Sequence, residues 1–73
     1  MNVHDEIEKV WCEVLGVADC RPEDNFFERS GTSLKAARFV RALAGRGIRV
    51  PLGALFTDGR LAAVQAAATT GEG

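Results

Sequence analysis

Residues Asp24 to Leu43 read DNFFERSGTSLKAARFVRAL, and this stretch constrains the fold more than any other. It begins as a polar loop holding two adjacent aromatics, Phe26 and Phe27. It then passes a corner of small residues, Gly31-Thr32-Ser33, and continues from Leu34 with helical periodicity. Two large apolar rings in a polar loop need shelter, which predicts that the loop folds back onto a core. Asp24 is placed to cap a short helical turn through Phe27. A serine then sits where the chain turns into a helix. That end of a helix has unsatisfied N–H groups and a partial positive charge. Ser33 is therefore suited to carry a phosphate-type modification.

The segments on either side supply the core. From Val3 to Leu15, the residues Ile7, Val10, Trp11, Val14 and Leu15 recur at helical spacing, opposite Asp5, Glu6, Glu8, Lys9 and Glu13. Acids in the first turn suit the helix dipole, and Gly16 is a stop signal. Val17 to Thr32 is a long connection containing Pro22. A second helix is predicted over Leu34 to Ala44, with Ala36, Phe39, Val40 and Leu43 on one face and Lys35, Arg38 and Arg41 opposite. Leu34 falls on the cationic side, either as a docking point or packed against the loop. Gly45 and Gly47 end this helix, and Ile48 to Pro51 reads as an extended connector. Leu52 to Phe56 is predicted as one short helical turn with Leu52, Leu55 and Phe56 pointing inward. Asp58 is expected to cap a last helix over Arg60 to Ala68, with Leu61, Val64 and Ala68 in its stripe. The expected fold is all-α: a small four-helix bundle, three main helices and one short, with a long first loop. Residues 1–73 read as a single domain, ordered over about 3–68, with a flexible tail at 69–73.

At 73 residues the chain supports one modest core, although 47% hydrophobic and 26% charged residues mark it as globular. No secretory signal or membrane-length apolar run is visible, and the two cysteines do not make a disulfide framework. They read as reduced thiols in a cytoplasmic protein, with Cys12 as half-buried filler. The net charge of −1 hides an asymmetry. Residues 1–28 carry Asp5, Glu6, Glu8, Glu13, Asp19, Glu23, Asp24 and Glu28 against Lys9 and Arg21. Residues 29–57 carry Arg29, Lys35, Arg38, Arg41, Arg46 and Arg49 with no acid. Such polarity bears on partners more than on fold.

Independent catalysis is disfavoured. A serine nucleophile needs a base, and the sole histidine is His4 near the N-terminus. Lys35 stands where a nucleophile elbow needs its second glycine. One histidine and two cysteines do not form a metal set, and no glycine-rich phosphate loop is present. The alternative from another class is a plain helical interaction domain or a nucleic-acid-binding one, a helix-turn-helix reader built on the basic second helix. Its cations would offer phosphate rather than base contacts, and the overall charge is not basic.

The segment DNFFERSGTSL followed by KAARFVRAL resembles the signature of the acyl and peptidyl carrier superfamily. It is most similar to the peptidyl carrier (thiolation) domains of nonribosomal peptide synthetases. The likeness extends through Trp11-Cys12-Glu13-Val14-Leu15-Gly16 to Val50-Pro51-Leu52 and Leu55-Phe56, covering Ile7 to about Ala68. The resemblance implies that Ser33 is the attachment point of 4′-phosphopantetheine, transferred from coenzyme A by a separate phosphopantetheinyl transferase. Asp24, Phe26, Phe27, Gly31 and Thr32 support that motif. Without it, Ser33 would read as an ordinary helix cap. The implied role is non-catalytic: a monomeric carrier that holds an aminoacyl, peptidyl or acyl group as a thioester on a tether. Its implied partners are an adenylation or other loading enzyme, then condensation, tailoring or thioesterase enzymes, with no nucleic acid or membrane. A polyketide-type acyl carrier is the alternative within the class. Gly31 is expected to give backbone freedom for the transferase to approach.

Three departures from the family pattern stand out. Ser30 replaces the first glycine of the usual pair, Thr32 occupies a position where aspartate is common, and Gly59-Arg60 replaces Pro-Thr before the last helix. The last substitution predicts a frayed final helix. Carriers of fatty-acid synthesis show an acidic second helix; Lys35, Arg38 and Arg41 reverse that sign. Recognition is therefore expected through Leu34 with a cationic rim. The leading methionine fits a free-standing carrier served in trans, and equally an excised domain with an added start codon.

Overall fold

The computed structural model describes residues 2–29 and 31–70. The Ser30 substitution and the tail at 71–73 lie outside the described residues.

Helix α1 spans Val3–Leu15. Asn2 caps it, its Oδ1 accepting from His4 N at 2.8 Å, so one orphan amide of the first turn is satisfied. Ile7, Val10, Trp11 and Leu15 are buried. Gly16 ends the helix in the left-handed region at φ 71°, which a side chain would strain. Helix α2 spans Ser33–Ala44 and buries Ala36, Phe39 and Leu43; Val40 is half-buried against the same core. Gly47 turns the chain at φ 79°. Helix α3, Leu52–Thr57, and helix α4, Leu61–Ala67, complete the helical set. All four helices contribute to one apolar cluster centred on Trp11, Phe26, Phe39, Leu43, Leu55 and Leu61.

Four expectations need correction. Two short strands exist: β1, Ile48–Arg49, pairs antiparallel with β2, Thr69–Thr70. The start of the expected tail is therefore tied down by Ile48 opposite Thr70 and Arg49 opposite Thr69. The strands are minor beside the helices, and the architecture remains a four-helix fold. In α3 only Leu55 points inward; Leu52 is 39% and Phe56 52% exposed. A helix of six residues has little more than one buried edge, and Leu55 occupies it. Asp58 does not cap α4 directly. Arg60 stands at that N-cap without a side-chain capping bond, and Asp58 instead accepts from Arg60 N at 3.2 Å and pairs with its guanidinium. Finally, the loop turn is organised by Asn25 rather than Asp24. Asn25 Oδ1 accepts from Phe27 N at 2.9 Å, while Asp24 Oδ2 accepts from Arg21 N. Either side chain is a competent turn acceptor, so local chemistry alone does not choose between them.

The long first connection is strapped to the head of α4. Ala62 N donates to Pro22 O, Leu61 N to Asp24 O and Phe26 N to Gly59 O, at 2.9, 2.9 and 2.7 Å. The first two give the leading amides of α4 the acceptors that a hydroxyl cap would otherwise provide. Leu61 and Val64 are buried, which further anchors the helix against the fraying predicted from Gly59-Arg60. Gly59 is itself buried, and a Cβ there would stand 3.1 Å from Asn25 Oδ1 and 3.2 Å from Phe27 Cδ2.

Candidate functional site: the head of the second helix

The loop aromatics act as expected and hold the site in place. Phe26 is fully buried and meets Trp11 edge-on at 5.2 Å and Phe27 at 5.4 Å. Phe27 is half-buried and stacks on Phe56 at 5.3 Å, with ring planes 17° apart. Aromatic pairs of this kind add roughly 0.5–1.5 kcal/mol beyond the area they bury. Arg29 N and Gly31 N both donate to Phe26 O, at 3.3 and 2.9 Å. The chain is thus wound tightly around Phe26 before it enters α2.

A Cβ at Gly31 would overlap the Phe26 ring and carbonyl oxygen, so glycine at this position permits close approach.

Thr32, not Ser33, caps α2. Thr32 has extended backbone, φ −118° and ψ 171°, its Oγ1 accepts from Lys35 N at 3.1 Å, and its carbonyl accepts from Ala36 N at 2.8 Å. Ser33 is the first helical residue and is exposed. Among the described residues no hydrogen bond engages Ser33 Oγ, and the backbone N–H groups of Ser33 and Leu34 find no acceptor. The plain capping role is therefore already filled, and the serine stands exposed at the positive end of a 12-residue helix.

The four docking candidates are only partly grouped. Leu34 is 64% exposed, which decides against packing under the loop. Leu34, Arg38 and Arg41 recur at i, i+4 and i+7 and so share a strip, with Arg38 and Arg41 exposed. Lys35 is half-buried and sits to the side of that strip. Leu52 and Phe56 are exposed apolar residues that sequence reasoning had turned inward. The signal that might have found Phe56 is that Leu55 and Phe56 are adjacent, and a one-turn helix buries only one of two such neighbours. Among the described residues no set of three or more histidine, cysteine or carboxylate side chains is placed to hold a metal ion. No described helix is long and apolar enough to cross a membrane.

A free, exposed serine on a helix head, supported by a buried aromatic, accords with the family model described as "Phosphopantetheine attachment site", which matches residues 5–67. The chain belongs to that family. The group carried by phosphopantetheine attachment domains is 4′-phosphopantetheine, and the family's role is that of a carrier, not a catalyst. The chain is 42% identical over 57 residues to phosphinothricin tripeptide synthetase PhsC of Streptomyces viridochromogenes, covering 77% of this chain and 5% of that protein. It is 39% identical over 71 residues to PhsB of the same organism, covering 89% of this chain and 6% of that protein. The chain therefore spans only a small fraction of these relatives. Its fold matches a solved structure titled "Non Ribosomal PCP domain" with a TM-score of 0.86 at 23% identity, covering 96% of this chain and 91% of that one. The residues of the helix head fit the cofactor: an anion attached at Ser33 Oγ would meet the positive end of α2 and no carboxylate in its first turn.

Proposed function

We propose that Ser33 is the residue on which this carrier holds 4′-phosphopantetheine, and that the chain presents aminoacyl or peptidyl groups to enzymes of nonribosomal peptide synthesis. The observation that carries the reading is the division of labour at the α2 head. Thr32 performs the cap, which leaves the Ser33 hydroxyl exposed and, among the described residues, without a hydrogen-bond partner. When bound, the cofactor supplies a terminal thiol on which the cargo is held as a thioester. Ser33 Oγ offers the oxygen that is esterified, and the helix head stabilises the resulting phosphodiester charge. Phe26, Gly31 and the bonds to Phe26 O fix where Ser33 stands, so the tether starts from a rigid point. A tether raises the effective concentration of cargo at each partner's active site without any catalytic group on the carrier.

The partners that follow from this reading are a phosphopantetheinyl transferase drawing on cytoplasmic coenzyme A, an adenylation or other loading enzyme, and a condensation, tailoring or thioesterase enzyme. Leu34, Arg38 and Arg41 would meet the loading enzyme, with Phe56 and Leu52 as further exposed apolar points.

Incubation with coenzyme A and a broad-specificity phosphopantetheinyl transferase tests the attachment, read by intact mass. The expected result is addition of a single arm, absent in Ser33→Ala. A wild-type chain that stays unmodified, or a Ser33→Ala chain that still gains the arm, overturns the assignment.

A further inference from the structure

The bend after α1 creates a site that the carrier role does not use. Gly16 N and Val17 N both donate to Cys12 O, at 2.8 and 3.1 Å, and the chain reverses there. Cys20 is brought back beside α1, where its sulfur lies 3.2 Å from Cys12 Sγ and 4.0 Å from Glu8 O. Both thiols are half-buried and line an open cleft of about 360 Å³. The cleft walls are mainly acidic, with Asp5, Glu8, Glu13 and Asp19 against Lys9 alone. Two cysteines eight positions apart suggest no pairing in the sequence; the Gly16 reversal makes them neighbours.

We propose that Cys12 and Cys20 are an oxidation site at which hydrogen peroxide closes an intramolecular disulfide, stapling the first loop to α1. Cys12 sulfur attacks one peroxide oxygen as its proton is lost; the O–O bond breaks, the sulfur becomes a sulfenic acid, and hydroxide is released. Cys20 sulfur then attacks Cys12 sulfur, the S–O bond breaks, and the Cys20 proton goes to the departing oxygen. With the first thiol's proton neutralising the hydroxide, two thiols and one peroxide give one disulfide and two waters. Burial, the Cys12 contact and the nearby acids push the Cys20 thiol up to about 12, so Cys20 attacks only as its proton passes to the departing oxygen, which slows this second step. The acidic walls favour a neutral oxidant over an anionic one such as glutathione disulfide, which carries carboxylates into a like-charged cleft. The sulfurs need to close from 3.2 Å to bonding distance, about 2.05 Å, a shift that a loop residue such as Cys20 can absorb. The loop beyond Cys20 is already bonded to the head of α4, so the staple would join α1, loop and α4 into one unit.

The test treats the 73-residue chain with hydrogen peroxide near stoichiometry, without transferase or coenzyme A. The tryptic peptide Val10–Arg29 holds both cysteines and no methionine, so its mass reports the site alone. The expected result is a loss of about 2 Da from that peptide, both thiols closed to iodoacetamide, and reversal by dithiothreitol. The oxidised chain should melt about 5–10 °C higher than the reduced one. Glutathione disulfide should close the bond at least about tenfold more slowly than peroxide. Cys20→Ser should leave a dimedone-reactive sulfenic acid on Cys12; if that variant fails to fold, the wild-type peptide mass still decides. Thiols that stay open to alkylation, disulfide-linked dimers, or sulfinic acid on Cys12 beside a free Cys20 would overturn the site. An unchanged or lower melting temperature would overturn the stapling, and equal or faster closure by glutathione disulfide would overturn the preference for a neutral oxidant.

Discussion

Gly31 is packed so closely on Phe26 that any side chain at position 31 would overlap both the Phe26 ring and its carbonyl oxygen. The same carbonyl accepts the Gly31 N–H at 2.9 Å. The start of α2, and with it Ser33, is therefore positioned by a buried aromatic rather than by the loop's own conformational preferences. Because Phe26 is held in turn by Trp11 and Phe39, the position of Ser33 is coupled to the centre of the core.

Gly31→Ala should destabilise the fold by about 1–3 kcal/mol, since the overlapped atoms belong to a buried ring and to backbone that cannot swing away. Urea unfolding of the two proteins measures this. A loss below a few tenths of a kcal/mol would show that the Phe26 contact can relax.

Thr32 and Ser33 are adjacent hydroxyl residues with separable effects. Thr32→Ala removes the Lys35 N–H acceptor and should cost about 1 kcal/mol while leaving attachment of the arm intact. Ser33→Ala should change stability by less than about 0.5 kcal/mol and abolish attachment. Thermal melts and intact mass on the same pair of variants check both halves. If Ser33→Ala proves the more destabilising change, the cap has been assigned to the wrong residue.

Leu34, Arg38 and Arg41 lie along one exposed strip of α2. Reversing Arg38 and Arg41 to glutamate should lower kcat/KM of the cognate loading enzyme by about tenfold, mostly through slower association, and the deficit should shrink at high salt. Leu34→Asp should impair loading regardless of salt. Loading rates unaffected by all three changes would remove this strip from the docking surface.

Cys20 also sets an alkaline limit. Its thiol is raised from an ordinary 9.0 to about 12 in the folded chain, first by burial, then by Cys12 and by the charges of Glu8 and Asp24. The folded state therefore holds this proton more tightly than the unfolded state does. The resulting stability is complete below about pH 9 and is lost as pH rises toward about 12. Because the thiol is only half-buried, solvent screening should keep the effect small. Urea midpoints of the reduced chain across this range should decline more steeply than those of Cys20→Ser. Parallel declines would mean that the thiol is not held protonated by the fold.

Much of this protein could be determined from the order of its residues alone. The bounds of α1, the course of α2 and the inward Phe26 follow from apolar spacing, because a regular helix turns spacing into direction and a large ring must be sheltered. The serine at the helix head was equally legible, since few residue types suit that junction. Other features needed the assembled molecule. Thr32 took the cap from Ser33 because backbone dihedrals, not side-chain chemistry, separate two neighbouring hydroxyls. Phe56 stayed outside because a single helical turn offers one buried edge, and Leu55 filled it. Thr69 and Thr70 became a strand only because Ile48 and Arg49 lie alongside, and Gly31 proved to be a packing glycine only once Phe26 stood beside it. Cys12 and Cys20 met only because Gly16 reverses the chain. Each of these depends on a neighbour distant in sequence or on a choice between near-equal local options, and tertiary contact is what breaks such ties.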